Sequence, residues 1–155
     1  MLSRRGFLLA AGAVLAAAAG GNAPRAQTFA KSKLTIVTAK GRFPFDIEMA
    51  VTPRQHARGL MFRRKLAPDA GMLFDYKVPQ RITMWMKNTY IPLDMLFIGP
   101  GGRIVNIAER TVPRSLAAIS SDGDALAVLE VNGGTARRLG IRPGDMVLHP
   151  IFSNG

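Results

Sequence analysis

Beyond residue 33, the chain consists of short apolar runs that alternate with polar positions and are separated by glycine and proline turns. The stretch from Phe43 to Met49 shows the pattern clearly, because Phe43, Phe45, Ile47 and Met49 alternate with smaller or charged residues. A period of two residues is typical of a β-strand with one face in the core. Many such segments predict a mainly β fold, either an antiparallel β-sandwich or a partly open barrel with one or two short helices.

Two helices and several further strands complete the predicted order of elements. Thr52, the proline after it and Gln55 form a capping-box pattern, which predicts the start of a helix. Asn132 is expected to begin a second short helix that Gly140 ends. The other apolar runs predict strands at 34–38, 72–74, 82–86, 93–98, 103–109, 126–131 and 146–149, with turns around Pro79 and at 122–123.

The first 26 residues differ from the rest, since Arg4 and Arg5 precede an apolar, alanine-rich stretch. This organisation is typical of an export signal, and the arginine pair favours the bacterial twin-arginine route over general secretion. Cleavage is expected after Ala26, with Ala30 as the alternative. The predicted organisation is an export signal at 1–26, a tether and first strand at 27–42 and a single β-rich domain at 43–150, located in the periplasm.

Composition limits the classes of function. The chain contains no cysteine, which excludes disulfide and thiol chemistry. It has 21 Lys and Arg against 10 Asp and Glu, and the formal net charge of +11 favours anionic partners. Because export separates the protein from nucleic acid, we expect an acidic saccharide, a lipid headgroup or an envelope protein as partner. We further expect a monomer without cofactor, metal or transmembrane span in its mature form, since the apolar part of the signal is short for a bilayer.

The segment from Trp85 to Asp94 places a cation, an amide, a hydroxyl and a carboxylate between two apolar runs. Lys87, Asn88 and Thr89 form a connection whose side chains either contact a ligand or shape the turn. Asp94 lies in an apolar strand, so it is either a structural acceptor that pins this connection through backbone N–H groups or a site acid. Trp85 is either a core residue or a platform for a saccharide.

Three further candidates carry charge. Arg54 and Arg58 are four positions apart on the predicted helix, so both can meet one anion or simply face water. Glu130 ends an apolar strand and is a candidate partner for Asp94 in a paired-carboxylate site.

The eight methionines suggest a metal hypothesis. Met84 and Met86 lie on one face of a predicted strand, where their thioethers are either ligands for Cu(I), with further help from Met49, Met61, Met72, Met95 or Met146, or core residues. The two histidines, His56 and His149, lack the spacing of a zinc site, and His56 is expected on the exposed face of the helix.

Four stretches of the chain resemble the domain of unknown function 192 family: RGLMFRRKL, GMLFDY, WMKNTYIPLDMLFIGPGGRIVNI and VLEVNGGTARRLGIRPGDMV. The resemblance runs from about Phe43 to His149. It departs from the family at Met84 and Gly99, where an aromatic and an acidic residue are common. The resemblance implies a jelly-roll-like sandwich in a small exported domain, and it carries over no catalytic residue because the family has none assigned.

The leading hypothesis is a non-catalytic periplasmic binding or envelope-associated module for an anionic or saccharide ligand. One alternative is a hydrolase or lyase of cell-wall saccharide, with Asp94 and Glu130 as acid and base and with Lys87 or Arg58 holding an anionic group. The other is Met-based binding of Cu(I).

Overall fold

The computed structural model describes residues 26–153, so the predicted export signal lies outside the described residues apart from Ala26. This part of the chain forms the following elements in order: β1 (Ala30–Thr38), β2 (Gly41–Ala50), α1 (Pro53–Arg58), β3 (Ala70–Met84), β4 (Leu93–Ile98), β5 (Ile104–Ala108), β6 (Ile119–Asn132), α2 (Thr135–Leu139) and β7 (Met146–Leu148). Short 3-10 helices lie at Pro100–Gly102 and Pro150–Phe152.

The strands of residues 26–153 form one mixed sheet in the order β5-β4-β6-β3-β2-β1-β7. Neighbours are antiparallel except β2 and β3, which are parallel because the crossover at 51–69 returns the chain to the same end of the sheet. The two sheet edges meet where Arg103 and Met146 form a bridge and the Ile104 N–H donates to the Asp145 carbonyl at 2.9 Å. The sheet therefore curls into a half-barrel, which confirms the mainly β prediction in its partly open barrel form.

Each face of this sheet carries an apolar core. The inner core takes residues from every strand and from α2, whereas the outer core takes residues from β2, β3, β4, β6 and the adjoining segments. Val128 and Leu129 are neighbours on β6, yet Val128 belongs to the outer core and Leu129 to the inner core. Because β6 lies between β4 and β3, it is buried on both faces and supports any site built on either.

Helix α1 forms as the capping-box pattern predicts. The Thr52 hydroxyl accepts from the Gln55 N–H at 3.2 Å, and Gln55 Oε1 accepts from the Thr52 N–H at 3.1 Å. The helix ends before Gly59, whose φ of 45° and close approach to the Phe74 ring both favour glycine. The chain leaving α1 is thereby brought against the outer face of the sheet.

Two predicted turns lie inside strands. β3 continues through Pro79, where residues 77–81 are exposed and the pairing with β6 shifts register between Asp75 and Gln80. An exposed irregularity tolerates proline, which has no N–H to give to the ladder. β6 likewise runs through 122–123, so the predictions of turns at these positions are wrong.

Two boundaries also differ from the predictions. β3 ends at Met84, so Met86 does not lie on a strand. The second helix begins at Thr135 and not at Asn132, whose amide nitrogen instead donates to the Leu66 carbonyl at 2.9 Å. Within residues 26–153 no helix combines the length and apolar character needed to cross a membrane.

Candidate functional site

Asp94 is fully buried on the inner face of β4. Its Oδ1 accepts from the backbone N–H groups of Arg110 at 2.8 Å and Gly134 at 3.0 Å, and its Oδ2 accepts from that of Ala136 at 2.8 Å. Three backbone donors stabilise a carboxylate in its charged form without a cation. Asp94 therefore ties the loop after β5 to the start of α2, and not the connection at 87–91 that the sequence suggested.

The predicted carboxylate pair does not form. Asp94 is opposite Val131 in the register of β4 and β6, whereas Glu130 is opposite Met95. Directly opposite residues project to the same face, and successive residues of a strand project to opposite faces. Asp94 and Glu130 therefore lie on opposite faces of the sheet, and the hydrolase or lyase arrangement that uses them as acid and base is wrong.

Glu130 is a buried acid on the outer face of the sheet, with 4% exposure. Its cross-strand neighbours, Met72 of β3 and Met95 of β4, are both fully buried. Burial raises the pKa of Glu130 from an ordinary value of 4.5 to about 8. Burial, and then the nearby charge of Glu130, raise the pKa of Tyr76. No ion pair among the described residues includes Glu130.

A small crevice opens over Glu130, between α1 with the segment after it and the end of β3. Its cavity volume is about 30 Å³, the share of liquid volume that one water molecule occupies. The chemically active residues that line it supply an acid, an imidazole, two thioethers, a guanidinium, an indole and a hydroxyl: Glu130, His56, Met61, Met84, Arg58, Trp85 and Thr89. The crevice accommodates one ion or one polar atom of a ligand and is too small for a sugar ring.

Helix α1 contributes His56 and Arg58 to the crevice, while Arg54 is exposed and does not line it. The His56 ring packs on Tyr76 with ring centroids 4.5 Å apart, and its Nε2 lies 2.9 Å from the Ala50 carbonyl oxygen. A carbonyl only accepts, so Nε2 carries a proton, and in the neutral tautomer that fits this contact the ring lone pair is on Nδ1. The prediction that His56 decorates an exposed helix face is wrong, and no local signal indicated its contact with β3.

The connection at 87–89 is fixed to two other segments by its backbone. Asn88 O accepts from the Phe62 N–H at 2.8 Å, and Thr89 O accepts from the Arg114 N–H at 3.0 Å. The buried Thr89 hydroxyl donates to Lys87 O at 3.2 Å. Asn88 and Thr89 shape the connection, and the exposed Lys87 is the member that presents its charge to solvent.

Three cations lie over aromatic rings beside this connection, each between 4.7 and 5.0 Å from its ring centroid. The pairs are Lys87 over Trp85, Arg58 over Phe62 and Arg114 over Tyr90. We call the surface formed by these six residues the aromatic–basic face. Phe62 and Tyr90 also meet edge to face at 5.9 Å, so the two arginine pairs are continuous.

The backbone of the aromatic–basic face has an unusual conformation. Phe62, Asn88 and Arg114 have φ values of 67°, 53° and 63°, in the left-handed region. Residues with a bulky side chain rarely adopt this region. Phe62 and Trp85 are nevertheless 45% and 49% exposed, so Trp85 is not the core residue that one interpretation of the sequence favoured. Strained backbone clusters at functional sites, so this surface is a candidate for one.

Met84 and Met86 do not form a shared ligand pair. Met86 is fully buried, and its Sδ accepts from the Thr111 hydroxyl at 3.1 Å. Met84 is half-buried, and its Sδ accepts from the Tyr76 hydroxyl at 3.3 Å. Met84 lines the crevice together with Met61, one of the five additional methionines that the sequence offered, whereas Met86 is not among the lining residues.

A larger groove of about 670 Å³ lies elsewhere, across β1, β2 and the start of β3. Its charged groups largely neutralise one another, since Lys33 pairs with Asp46 at 2.8 Å and Arg63 pairs with Glu48. We therefore place the candidate site at the crevice and the aromatic–basic face, where charges have no such partners, although the crevice is smaller.

Comparison with known proteins agrees with the resemblance found in the sequence. A solved structure from Sinorhizobium meliloti 1021, provisionally named a transcription regulator, is 47% identical with a TM-score of 0.78, covering 81% of this chain and 98% of that one. A protein of unknown function from Novosphingobium aromaticivorans DSM 12444 is 44% identical with a TM-score of 0.75, covering 77% of this chain and 85% of that one. No curated protein matches significantly. The family model DUF192, described as Uncharacterized ACR, matches residues 35–149, and the chain therefore belongs to the domain of unknown function 192 family.

Proposed function

We propose that this protein is a non-catalytic binding module of the cell envelope that recognises an anionic ligand with its aromatic–basic face. One observation carries the proposal: three left-handed non-glycine residues coincide with three cation–ring pairs on one surface. Strained backbone persists where the surrounding structure over-determines it, and such positions cluster at ligand-binding sites. Here the strain accompanies two aromatic rings that remain half exposed.

The charges of this face favour an anion. None of the three ion pairs among the described residues involves a cation of the face. Arg58, Lys87 and Arg114 are oriented by aromatic rings and not by acids. The planar guanidinium binds a carboxylate or phosphate through two parallel hydrogen bonds. Because none of these ion pairs involves the three cations, an anionic ligand would not have to displace a carboxylate of the protein.

Two exposed apolar residues, each two positions from Arg114 in the chain, narrow the class of ligand. Val112 and Leu116 are both 68% exposed, and Leu116 borders a shallow cavity that it shares with Trp85. Aromatic rings with nearby Lys and Arg suit the headgroup region of an anionic membrane, and the same rings offer a flat surface to a carboxylated saccharide. Both sources present an anion beside less polar groups.

The non-catalytic and exported parts of the proposal have separate support. Asp94 is committed to backbone N–H groups, and the crevice over Glu130 is too small to admit a scissile bond between two sugars. Export to the periplasm is favoured by the charged and apolar pattern of the first 26 residues, of which 1–25 lie outside the described part of the chain.

The experiment uses the fluorescence of Trp85, because this is the only tryptophan and it lies on the face. The purified protein is titrated with polygalacturonate, neutral dextran, phosphatidylglycerol vesicles, phosphatidylcholine vesicles and duplex DNA. We expect a saturable spectral shift with one anionic envelope ligand and none with its neutral counterpart. DNA is included because one structural relative is provisionally named a transcription regulator; equal affinity for DNA would contradict an envelope role.

A charge-matched pair of double variants tests whether the face is the site. Arg58→Ala/Lys87→Ala removes two cations from the face, whereas Lys31→Ala/Arg42→Ala removes two from β1 and β2. The first should weaken binding about tenfold or more and the second about twofold or less, because direct contacts outweigh net charge at short range. An equal loss in both would show that only the overall positive charge attracts the ligand.

A further inference from the structure

We propose that the crevice over Glu130 is a site for one Cu(I) ion, with the thioethers of Met61 and Met84, Nδ1 of His56 and the Glu130 carboxylate as ligands. This inference goes beyond the proposed function and does not depend on it. Arg58 and Trp85 of the aromatic–basic face also line this crevice, but the ligand set includes none of the three cations of that face.

The donor set selects the metal. Thioethers are soft ligands that favour Cu(I), and imidazole also suits copper, whereas Ca²⁺ and Mg²⁺ require several oxygen ligands. No group of three His, Asp or Glu side chains that could hold a metal occurs within residues 26–153. A site here must therefore draw on sulfur, and the absence of cysteine leaves methionine to supply it.

The two sulfurs keep a lone pair for a metal. Met84 Sδ accepts one hydrogen bond from Tyr76 at 3.3 Å, and Met61 Sδ lies 4.0 Å from the Asn88 amide nitrogen. A thioether sulfur carries two lone pairs, so one contact leaves the other for coordination. These contacts also hold the side chains in place, as supporting groups do around metal ligands.

His56 is oriented in the way that metal-binding histidines usually are. Its Nε2–H donates to the Ala50 carbonyl at 2.9 Å, which leaves Nδ1 as the ring nitrogen available to a metal. The ring is also held by Tyr76, with ring centroids 4.5 Å apart. The backbone of β2 thus fixes the tautomer that coordination requires.

The size and charge of the crevice match a single ion. Its volume of about 30 Å³ suits one ion or one water molecule. Glu130, which lines it, is 4% exposed, has Met72 and Met95 as cross-strand neighbours and forms no ion pair among the described residues. A buried carboxyl group without a cation partner is unfavourable when charged, and a bound monovalent cation would neutralise it.

The test is an anaerobic titration of the purified protein with Cu(I) in competition with bicinchoninate, repeated with Ag(I) as a redox-inert substitute. We expect one ion per chain and quenching of Trp85, which lines the crevice. Met61→Leu/Met84→Leu should weaken Cu(I) binding about a hundredfold, roughly tenfold for each thioether or supporting group removed. Met49→Leu/Met146→Leu, which removes two methionines outside the crevice, should leave the affinity within about twofold.

Circular dichroism and thermal unfolding of each variant separate loss of the site from loss of the fold, and leucine preserves the volume of methionine closely enough to retain the core. If wild-type protein does not compete with bicinchoninate, or if both double variants lose affinity equally while folded, the site is wrong. Lys87→Ala/Arg114→Ala removes two cations of the face that do not line the crevice and should retain Cu(I) binding, so failure of the anionic-ligand proposal and failure of this one give different results.

Discussion

At the scale of single residues, the two buried acids differ in their partners and not in their burial. Asp94 and Glu130 are both almost completely removed from solvent. Asp94 receives three backbone donors, while Glu130 has methionine neighbours across both adjacent strands. Hydrogen bonds stabilise a charged carboxylate, whereas desolvation alone favours the neutral acid. Asp94 is thus a structural hydrogen-bond acceptor, and Glu130 is a group that can take up a proton or a cation.

Replacing Asp94 by asparagine tests the structural role. The amide nitrogen of Asn cannot accept, so at least one of the N–H groups of Arg110, Gly134 and Ala136 loses its partner in a buried site. We expect Asp94→Asn to lower the free energy of unfolding by about 3 kcal/mol, measured by urea denaturation. The exposed Asp122→Asn serves as control and should change it by no more than about 0.5 kcal/mol. Equal stability of the two variants would contradict the assigned role.

The raised pKa of Glu130 predicts a pH dependence of stability in the metal-free protein. Above its ordinary pKa of 4.5 the unfolded chain releases the proton, whereas the folded protein holds it until about pH 8. The unfolded state then binds fewer protons, so the free energy of unfolding falls as pH rises between these values. The other titratable or charged groups around the crevice are His56, Arg58 and Tyr76.

Comparison of wild type with Glu130→Gln isolates this contribution. Glutamine does not titrate, so the stability of Glu130→Gln relative to wild type should increase from pH 5 to pH 8 and then level off. Urea unfolding at several pH values, with a chelator present, measures the difference. The control Glu109→Gln is at an exposed position, and its free energy of unfolding should change with pH in the same way as that of wild type. A constant difference for Glu130→Gln would show that this carboxyl group titrates normally.

The role of a single residue could be predicted from the sequence only where the interaction that determines it is formed by residues nearby in the chain. An acid within the apolar run around Asp94 is visible in the sequence, and its need for backbone donors follows from that position alone. The donors at Gly134 and Ala136 come from a distant segment, so no spacing could name them. For the same reason the position of His56 was missed and Met61 was not distinguished from four other methionines, because their partners lie on β3 and on the connection at 88.

At the scale of elements, α1 was the most predictable part of the fold and β3 the least. The capping box is formed by neighbours in the chain, so the pattern at Thr52 and Gln55 contains all of its determinants. β3 runs through Pro79 because its pairing with β6 resumes at Gln80 after an irregularity. A proline there predicts a turn on local grounds, and the neighbouring strand overrides that preference.

The capping box gives a prediction for α1. Thr52→Ala removes the acceptor of the Gln55 N–H and should lower the free energy of unfolding by about 1 kcal/mol. Thr52→Ser keeps the hydroxyl and should lose less than about half of that. Thermal or urea unfolding measures both. Similar losses in the two variants would mean that the methyl group of Thr52, and not its cap, matters at this position.

At the scale of the whole molecule, one sheet supports two cores. The closure of the half-barrel at Arg103 and Met146 depends on segments far apart in sequence, and such pairings leave no periodic signal in either segment. The fold class was nevertheless predictable, because the alternation of apolar and polar residues indicates which segments are strands with a buried face. β6 joins the inner and outer cores through alternate side chains, so the two cores are expected to unfold together.

Truncation of two adjacent residues on β6 tests this cooperativity. Val128→Ala leaves a cavity in the outer core and Leu129→Ala leaves one in the inner core, and each should lower the free energy of unfolding by about 2 to 4 kcal/mol. Trp85 fluorescence reports the outer side of the molecule and far-ultraviolet circular dichroism reports the whole sheet, so both should follow one coincident transition in each variant. Val78→Ala, at an exposed position of β3, should change stability little. Separate transitions for the two probes, in either core variant, would show that the faces of the sheet unfold independently.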